Sequence, residues 1–303
     1  MEAGLNHNPF QVMQPKATSL LGTLLLSIFV MILTVGFFQI IVDNLVTDKR
    51  LSFYINSVLQ CVLAFIFPAM LTGWLCTPRP KLYLGFASAN IGSFPGVILL
   101  FIFSLPAMNA LIDWNNNISL PASMQSLQQW MRELEDTAAS TTNFILIEPS
   151  IWGLICRILI IGCLTGFAEE LFFRAGLQNA FIKSGLNVHV SVWTAAFIFS
   201  AIHFQFFGFL PRMIMGAAFG YLFFYSGSIW VPAFAHTFNN SAVVVSAWLL
   251  ARGHTAIVID EIGVGSGWLT ILLSLLATAI FLILFGRKCF DKNQIHQNKL
   301  SSL

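Results

Sequence analysis

The sequence predicts an all-α, polytopic membrane protein of about eight transmembrane helices, with a candidate active site between the fourth, fifth and seventh. Three observations predict it. Hydrophobic residues make up 57% of the 303 residues and charged residues only 9%, whereas a soluble globular chain carries roughly a quarter charged residues. Apolar runs long enough for roughly 30 Å of hydrocarbon recur along the chain. Within those runs stands a small set of ionisable and amide side chains, although a charge at mid-membrane costs roughly 2.5 to 3.5 kcal/mol on insertion scales.

The elements follow in order. Ser19 to Val42 is an uncharged run long enough to span, too long for a signal-peptide core and followed by no small-x-small cleavage pattern, so it reads as a retained helix. The second span is Phe53 to Trp74, with Pro68 as a kink, and Pro78, Arg79, Pro80 and Lys81 mark its exit. The third lies between Leu82 and Ile112, interrupted by Gly92, Pro95, Gly96 and Pro106. In the long polar stretch Asp113 to Pro149, Met124, Leu127, Met131 and Leu134 recur at helical spacing beside Trp130, which reads as an interfacial helix; a substrate-gating lid is the alternative. The fourth span runs from Ile151 to about Lys183, ended by Ser184 and Gly185. Val190 to Phe204, Met213 to Tyr225, Ile229 to Leu250 and Trp268 to Phe285 complete the count. The sixth run, Met213 to Tyr225, is short for a span, so either the turn after His203 stops inside the membrane, where irregular backbone needs protein or a water-filled cavity around it, or Phe199 to Tyr225 is two tilted helices with a boundary elsewhere.

Charge sets the orientation. With the N-terminus inside, the inner segments hold Lys16, Arg79, Lys81, Lys183, Arg287, Lys288, Lys292 and Lys299 against Glu2 and Asp291, while nine acids from Asp43 to Glu261 lie outside against Lys49, Arg50, Arg132 and Arg252. Cytoplasmic loops collect Lys and Arg, so both termini should be cytoplasmic. No nucleic-acid signature is present. Cys61, Cys76, Cys156, Cys163 and Cys289 lack CxxC spacing and read as small buried hydrophobes.

The chemistry concentrates in GFAEELFFRA, Gly166 to Ala175. On a helix Glu170 and Arg174 share a face and can pair, while Glu169 points about 100° away and stays free for chemistry. Of six histidines, His7 and His296 fall in polar tails, His189 at a loop edge and His254 in an outer loop; His203 and His236 sit inside apolar runs. Glu169 and His203 stand at nearly equal distances along the chain on either side of Gly185, so a hairpin turning there brings them to similar height. His236 and Asn240 share a face of the seventh helix. A carboxylate near histidine can take a proton from water, and an imidazole can orient that water or bind a metal that lowers its pKa. His and Asn can donate to the oxyanion formed on a peptide carbonyl. GxSxG and HExxH are absent. Arg157 and Arg212 read as snorkelling or cavity-capping cations, with contact to a substrate carboxylate as the alternative.

EELFFR fits EExxxR, Phe199 to His203 fits FxxxH, and His236 to Asn240 fits HxxxN, in order on the fourth, fifth and seventh spans. This resembles the CPBP (Abi) family of intramembrane metalloproteases, which includes CAAX prenyl endopeptidases of the Rce1 type and bacterial bacteriocin-processing or immunity proteins. The resemblance implies Glu169 as general base, His203 as its partner in activating water, and His236 with Asn240 as oxyanion donors; Glu170 with Arg174 would be a structural pair, or Glu170 would share the acid/base work. Zn²⁺ held by His203, His236 and Glu169 is an open expectation, and a tetrahedral site would need further ligands.

The function expected is an intramembrane endopeptidase cleaving a membrane-associated protein or peptide near the cytoplasmic face, in a bacterial plasma membrane. A non-catalytic scaffold or bacteriocin-immunity protein, and a proton-coupled transporter, are the alternatives. The expected organisation is residues 1–150 with the first three helices and outer loop, 151–252 as the catalytic core, and 253–303 with the last helix and tail.

Overall fold

The computed structural model describes residues 17–254, 262–265 and 267–301. Glu2, His7, Lys16, Asp260 and Glu261 lie outside the described residues, as do the side chains of Cys76, Arg287, Lys288, Cys289, Asp291, Lys292, His296 and Lys299. Each of the eight expected spans has a helix. They are α1 (Ala17–Leu45), α2 (Lys49–Leu75), α3 (Ser93–Asn116), α5 (Ile151–Lys183), α6 (Val188–Ala201), α7 (Phe209–Ser226), α8 (Trp230–Ala251) and α9 (Trp268–Ser301). The amphipathic helix of the outer loop is α4 (Gln125–Leu146). Among the described residues five helical stretches are long and apolar enough to cross a membrane: α2, α3, α5, Phe206–Ser226 and Trp268–Gly286. This is an integral membrane protein, its outer face lined by exposed Phe29, Phe37, Leu272 and Ile280 and by Trp74, Trp152 and Trp268 near helix ends, where indole rings favour the membrane interface.

Several expectations are corrected. The second span does not merely kink at Pro68. A π turn over Gln60–Ile66 precedes it, so Phe67 N–H reaches Val62 O, a register that absorbs the bond Pro68 cannot donate. The third span, expected between Leu82 and Ile112, starts at Ser93 and runs on to Asn116. Leu82 instead belongs to a short helical turn, Pro80–Tyr83. Pro106 stays inside α3, because Ser274 of α9 splices the opened turn: its Oγ accepts from Ala107 N–H at 3.2 Å and donates to Phe103 O at 2.5 Å. The sixth helix is longer than its apolar run. Pro211 sits in its first turn, where a missing N–H costs little, and α7 spans 18 residues after a 3₁₀ turn at Phe206–Gly208. Cys156 is exposed on α5, facing outward where lipid would lie.

The core that carries the site is aromatic. Phe65 of α2 meets Phe172 and Phe173 of α5 at 5.7 and 5.9 Å, and Phe173 meets Phe199 of α6 at 5.1 Å. Such ring pairs add roughly 0.5–1.5 kcal/mol each beyond the area they bury. Arg157 does not snorkel. It is fully buried, paired with Glu148 at 3.2 Å and hydrogen-bonded to Ile145 O and Glu148 O, so it fastens the end of α4 to the start of α5.

Candidate active site

The close approach of α5 and α8 makes the site. Gly162 and Gly166 lie one turn apart on α5. A Cβ on Gly166 would stand 2.9 Å from Thr237 N, and one on Gly162 would strike Ser241 Oγ. Small residues at this spacing let helix backbones in lipid come together. His236, adjacent to Thr237, is thereby set against Glu169 and Glu170, three and four residues past Gly166.

Glu170 is fully buried. Its Oε2 forms an ion pair with Arg174 Nε at 2.9 Å, and its Oε1 lies 2.8 Å from His236 Nδ1. Glu170, ionised beside Arg174, can only accept, so Nδ1 of His236 carries a proton. Arg174 also donates to Gly216 O on α7 at 3.0 Å, and Gln178, one turn on, donates to Gly220 O at 3.0 Å. A helix carbonyl has a second lone pair for such a donor, and the missing Cβ gives access: one on Gly220 would lie 2.6 Å from Gln178 Oε1.

His236 is clamped on three sides. Its ring stacks on Phe219 with centroids 5.1 Å apart, meets the edge of Phe199 at 6.0 Å, and turns Nε2 toward Glu169 Oε2 at 3.7 Å. Glu169 retains 8% exposure and, among the described residues, accepts no hydrogen bond. One carboxylate is thus held by Arg174 and the other accepts no hydrogen bond among the described residues, with one imidazole between them.

His203 and Asn240 stand apart from that cluster. His203 donates Nδ1–H to Phe199 O at 2.8 Å, which leaves its Nε2 a lone pair in the neutral ring. Its imidazole packs on Phe199 at 5.1 Å, the ring that also touches His236; no hydrogen bond joins it to Glu169. Asn240 donates to Ile161 O at 3.1 Å and accepts from Asn239 at 3.2 Å. Ile161 belongs to a π turn, Ile158–Leu164, whose looser register frees carbonyls for such donors. Among the described residues no three His, Cys, Asp or Glu groups converge as a metal site. Glu169, His203 and His236 thus do not fit a Zn²⁺ ligand set as placed, and no step below runs through a metal.

The turn that carries His203 is irregular. Phe204 has φ of +52°, a left-handed conformation costing roughly 1–2 kcal/mol for a residue with a Cβ. The segment is held from α4 by Trp130 against Phe206 at 5.6 Å, by the Arg132 guanidinium 3.3 Å over the Phe207 ring, and by Glu135 accepting from Phe207 N–H at 3.2 Å. Asn115 at the end of α3 donates to Phe207 O, and Ser200 Oγ donates to Phe209 O at 2.6 Å. These contacts hold one side of the turn, while Phe204 itself is 64% exposed. Arg212, in the first turn of α7, reaches Gln205 Oε1 at 2.5 Å and Gln205 O at 3.4 Å.

Sequence reasoning did not single out Gln178, Gly216, Gly220 or Phe219. The signal was present in part: Arg174 and Gln178 are four apart, as are Gly216 and Gly220. Phe219 carried none, being one Phe among 30.

Residues 151–242 match the family described as Type II CAAX prenyl endopeptidase Rce1-like. A Bacillus subtilis (strain 168) protein, Uncharacterized protein YpbD, is 34% identical over 86 residues, covering 27% of this chain and 41% of that relative. The chain thus spans about two fifths of the length of that relative. No solved structure matches. The resemblance read from the three motifs is shown for this stretch, which includes Glu169, Glu170, Arg174, His203, His236 and Asn240. At the level of the family, it is that of CAAX-protease-type membrane peptidases.

Proposed function

We propose that the chain is an intramembrane endopeptidase that hydrolyses a peptide bond of a membrane-associated protein or peptide with water activated by Glu169 and His236. The observation that carries this reading is the single buried imidazole between two carboxylates, Nδ1 on Glu170 and Nε2 toward Glu169. Arg174 holds Glu170, Glu170 holds His236, and His236 faces Glu169, which accepts no hydrogen bond among the described residues. Glu169 takes a proton from water as the oxygen attacks the carbonyl carbon. It returns that proton to the departing amine when the C–N bond breaks, leaving a new carboxylate and a new N-terminus. His203 contributes from the facing turn by orienting substrate or water through its free Nε2.

Orientation belongs to the same proposal. The excess of Lys and Arg on one side supports cytoplasmic termini, and Glu169, just past the midpoint of α5, then lies toward the cytoplasmic half. A bacterial plasma membrane agrees with the Bacillus relative, and the substrate proposed is a peptide precursor or membrane-protein segment.

The test maps peptide termini across the membrane and secreted proteome in cells carrying wild type or Glu169→Gln in place of the native copy. Termini that vanish with the variant at equal protein level name the substrate and cleavage site. Identical termini with an intact phenotype remove the hydrolase reading and leave a scaffold or immunity role.

A further inference from the structure

We infer that a second copy of this chain docks on the lipid-facing groove between α1 and α2, with Gln60 of each copy exchanging side-chain amide hydrogen bonds with Gln60 of the other. The inference stands apart from the hydrolase reading and begins from two amides that the fold leaves without partners. Gln39 of α1 and Gln60 of α2 are both exposed, and they line a shallow groove together with Thr34, Phe38, Asn56 and Leu59. Among the described residues neither glutamine side chain makes a hydrogen bond.

The groove lies within the membrane. Gln60 is close to the middle of the span Lys49–Leu75. Thr34 lies at the same depth, because it stands eleven residues before the end of α1 at Leu45 and Gln60 stands eleven residues past Lys49. The outer end of the groove is closed by the chain itself, where Asp43 Oδ1 accepts from Ser52 Oγ at 2.5 Å and from Asn56 Nδ2 at 3.3 Å. The deeper part is left open. A primary amide among acyl chains is costly unless it is hydrogen-bonded, and hydrocarbon has no group to bond it. Its partner is therefore another molecule that reaches mid-membrane.

Two features fit that molecule to a copy of this chain. An amide is donor and acceptor at once, so it pairs with its own kind, and two bonds are exchanged when two copies face each other across a two-fold axis. Copies inserted the same way in one membrane carry Gln60 at one depth, so an axis along the membrane normal sets the residue opposite itself. An unrelated helix would need a polar group placed at that level. The second feature is Gly36, exposed on α1 and three residues from Gln39, hence on a neighbouring face. A Cβ there would meet nothing within 4 Å. Packing inside the chain does not call for glycine at this point, although glycine weakens a helix relative to alanine. Small residues that admit a neighbouring backbone, with amides that bond across, are how helices associate in lipid. Cys61, next to Gln60, turns inward with its Sγ 3.5 Å from Thr165 Oγ1 of α5, so the docking face and the contact with α5 are on different sides of α2.

The experiment uses the full-length protein in vesicles of phosphatidylethanolamine and phosphatidylglycerol, with association read by energy transfer between donor- and acceptor-labelled copies as the protein is diluted in lipid. Wild type is expected to form dimers. Gln60→Leu keeps the bulk and removes the amide, and Gly36→Leu holds the helices apart; each is expected to weaken association about tenfold. In a background with the native cysteines changed to alanine, Gln60→Cys is expected to give an oxidised band of twice the mass, whereas Ile280→Cys, also exposed but on α9, keeps the monomer mass. This crosslink decides the matter should Gln60→Leu fail to fold, as judged by its melting curve. A wild type that stays monomeric at every dilution, either leucine variant within about threefold of wild-type affinity, or a crosslink at Ile280→Cys in place of Gln60→Cys overturns the assignment. A crosslink from Gln60→Cys to a protein of another mass in cell membranes overturns it too, and gives the groove to a different partner.

Discussion

His236 Nδ1 lies 2.8 Å from Glu170 Oε1, inside hydrogen-bond distance of the second glutamate of the pair. Glu170 is the residue that also carries the Arg174 ion pair, so the orientation of the imidazole is set by a fully buried charge pair, while Glu169 is left with a 3.7 Å approach to Nε2.

The two glutamates should therefore fail differently when neutralised. Glu169→Gln is expected to abolish cleavage with a melting temperature close to wild type, because its carboxylate accepts no hydrogen bond among the described residues. Glu170→Gln leaves Arg174 buried without its partner, and breaking a buried pair costs about 3–5 kcal/mol. It should lose both cleavage and thermal stability in detergent. Equal melting temperatures for the two variants would contradict the division of labour.

Gly166→Ala is expected to reduce cleavage at least tenfold. The added Cβ would stand 2.9 Å from a backbone nitrogen, Thr237 N, which cannot turn aside, so α8 must shift and take His236 from Glu169. Gly162→Ala meets a serine hydroxyl instead, which can rotate, and should cost less. Initial rates of the two variants on one substrate decide the order.

Ser274→Ala is expected to destabilise by about 1–3 kcal/mol, the cost of a buried polar group left unpaired, since Ala107 N–H and Phe103 O both depend on its hydroxyl. In a Pro106→Ala background the helix can close on itself, and the same substitution should cost much less. A double-mutant cycle on melting free energies that shows simple additivity would deny the splice.

Chelators such as EDTA or o-phenanthroline are expected to leave wild-type cleavage unchanged, because the donor groups Glu169, His203 and His236 do not converge on one point. Loss of cleavage restored by Zn²⁺ would require those side chains to move together when substrate binds.

Much of this architecture could be read from the chain alone. α5 begins at Ile151 and ends at Lys183 as its apolar run and Gly185 foretold, because few residues compete with helix in a 33-residue apolar stretch. The Glu170–Arg174 pair followed from i, i+4 spacing. The start of α3 did not, since Pro95 and Gly96, which read as interruptions, sit in its first turn. Nor did the π turns, which arise from helix packing and Pro68, leaving no local signature. The separation of Asn240 from the glutamates was equally hidden: HxxxN fixes a shared face with His236, but not which carbonyl across the helix interface claims the amide.

The two bonds from Arg174 and Gln178 to Gly216 and Gly220 have equal spacing on both helices, and both measure 3.0 Å. They act as a two-tooth ratchet. If α7 slides one turn along α5, one tooth still engages and the other is left in an apolar gap with nothing to bond. Intermediate offsets engage neither. The native register of α7 against α5 is thus favoured by a full extra bond. A helix pair of this kind can be lengthened at its ends without disturbing the chemistry, whereas adding one residue between Gly216 and Gly220, or between Arg174 and Gln178, would throw the spacing off.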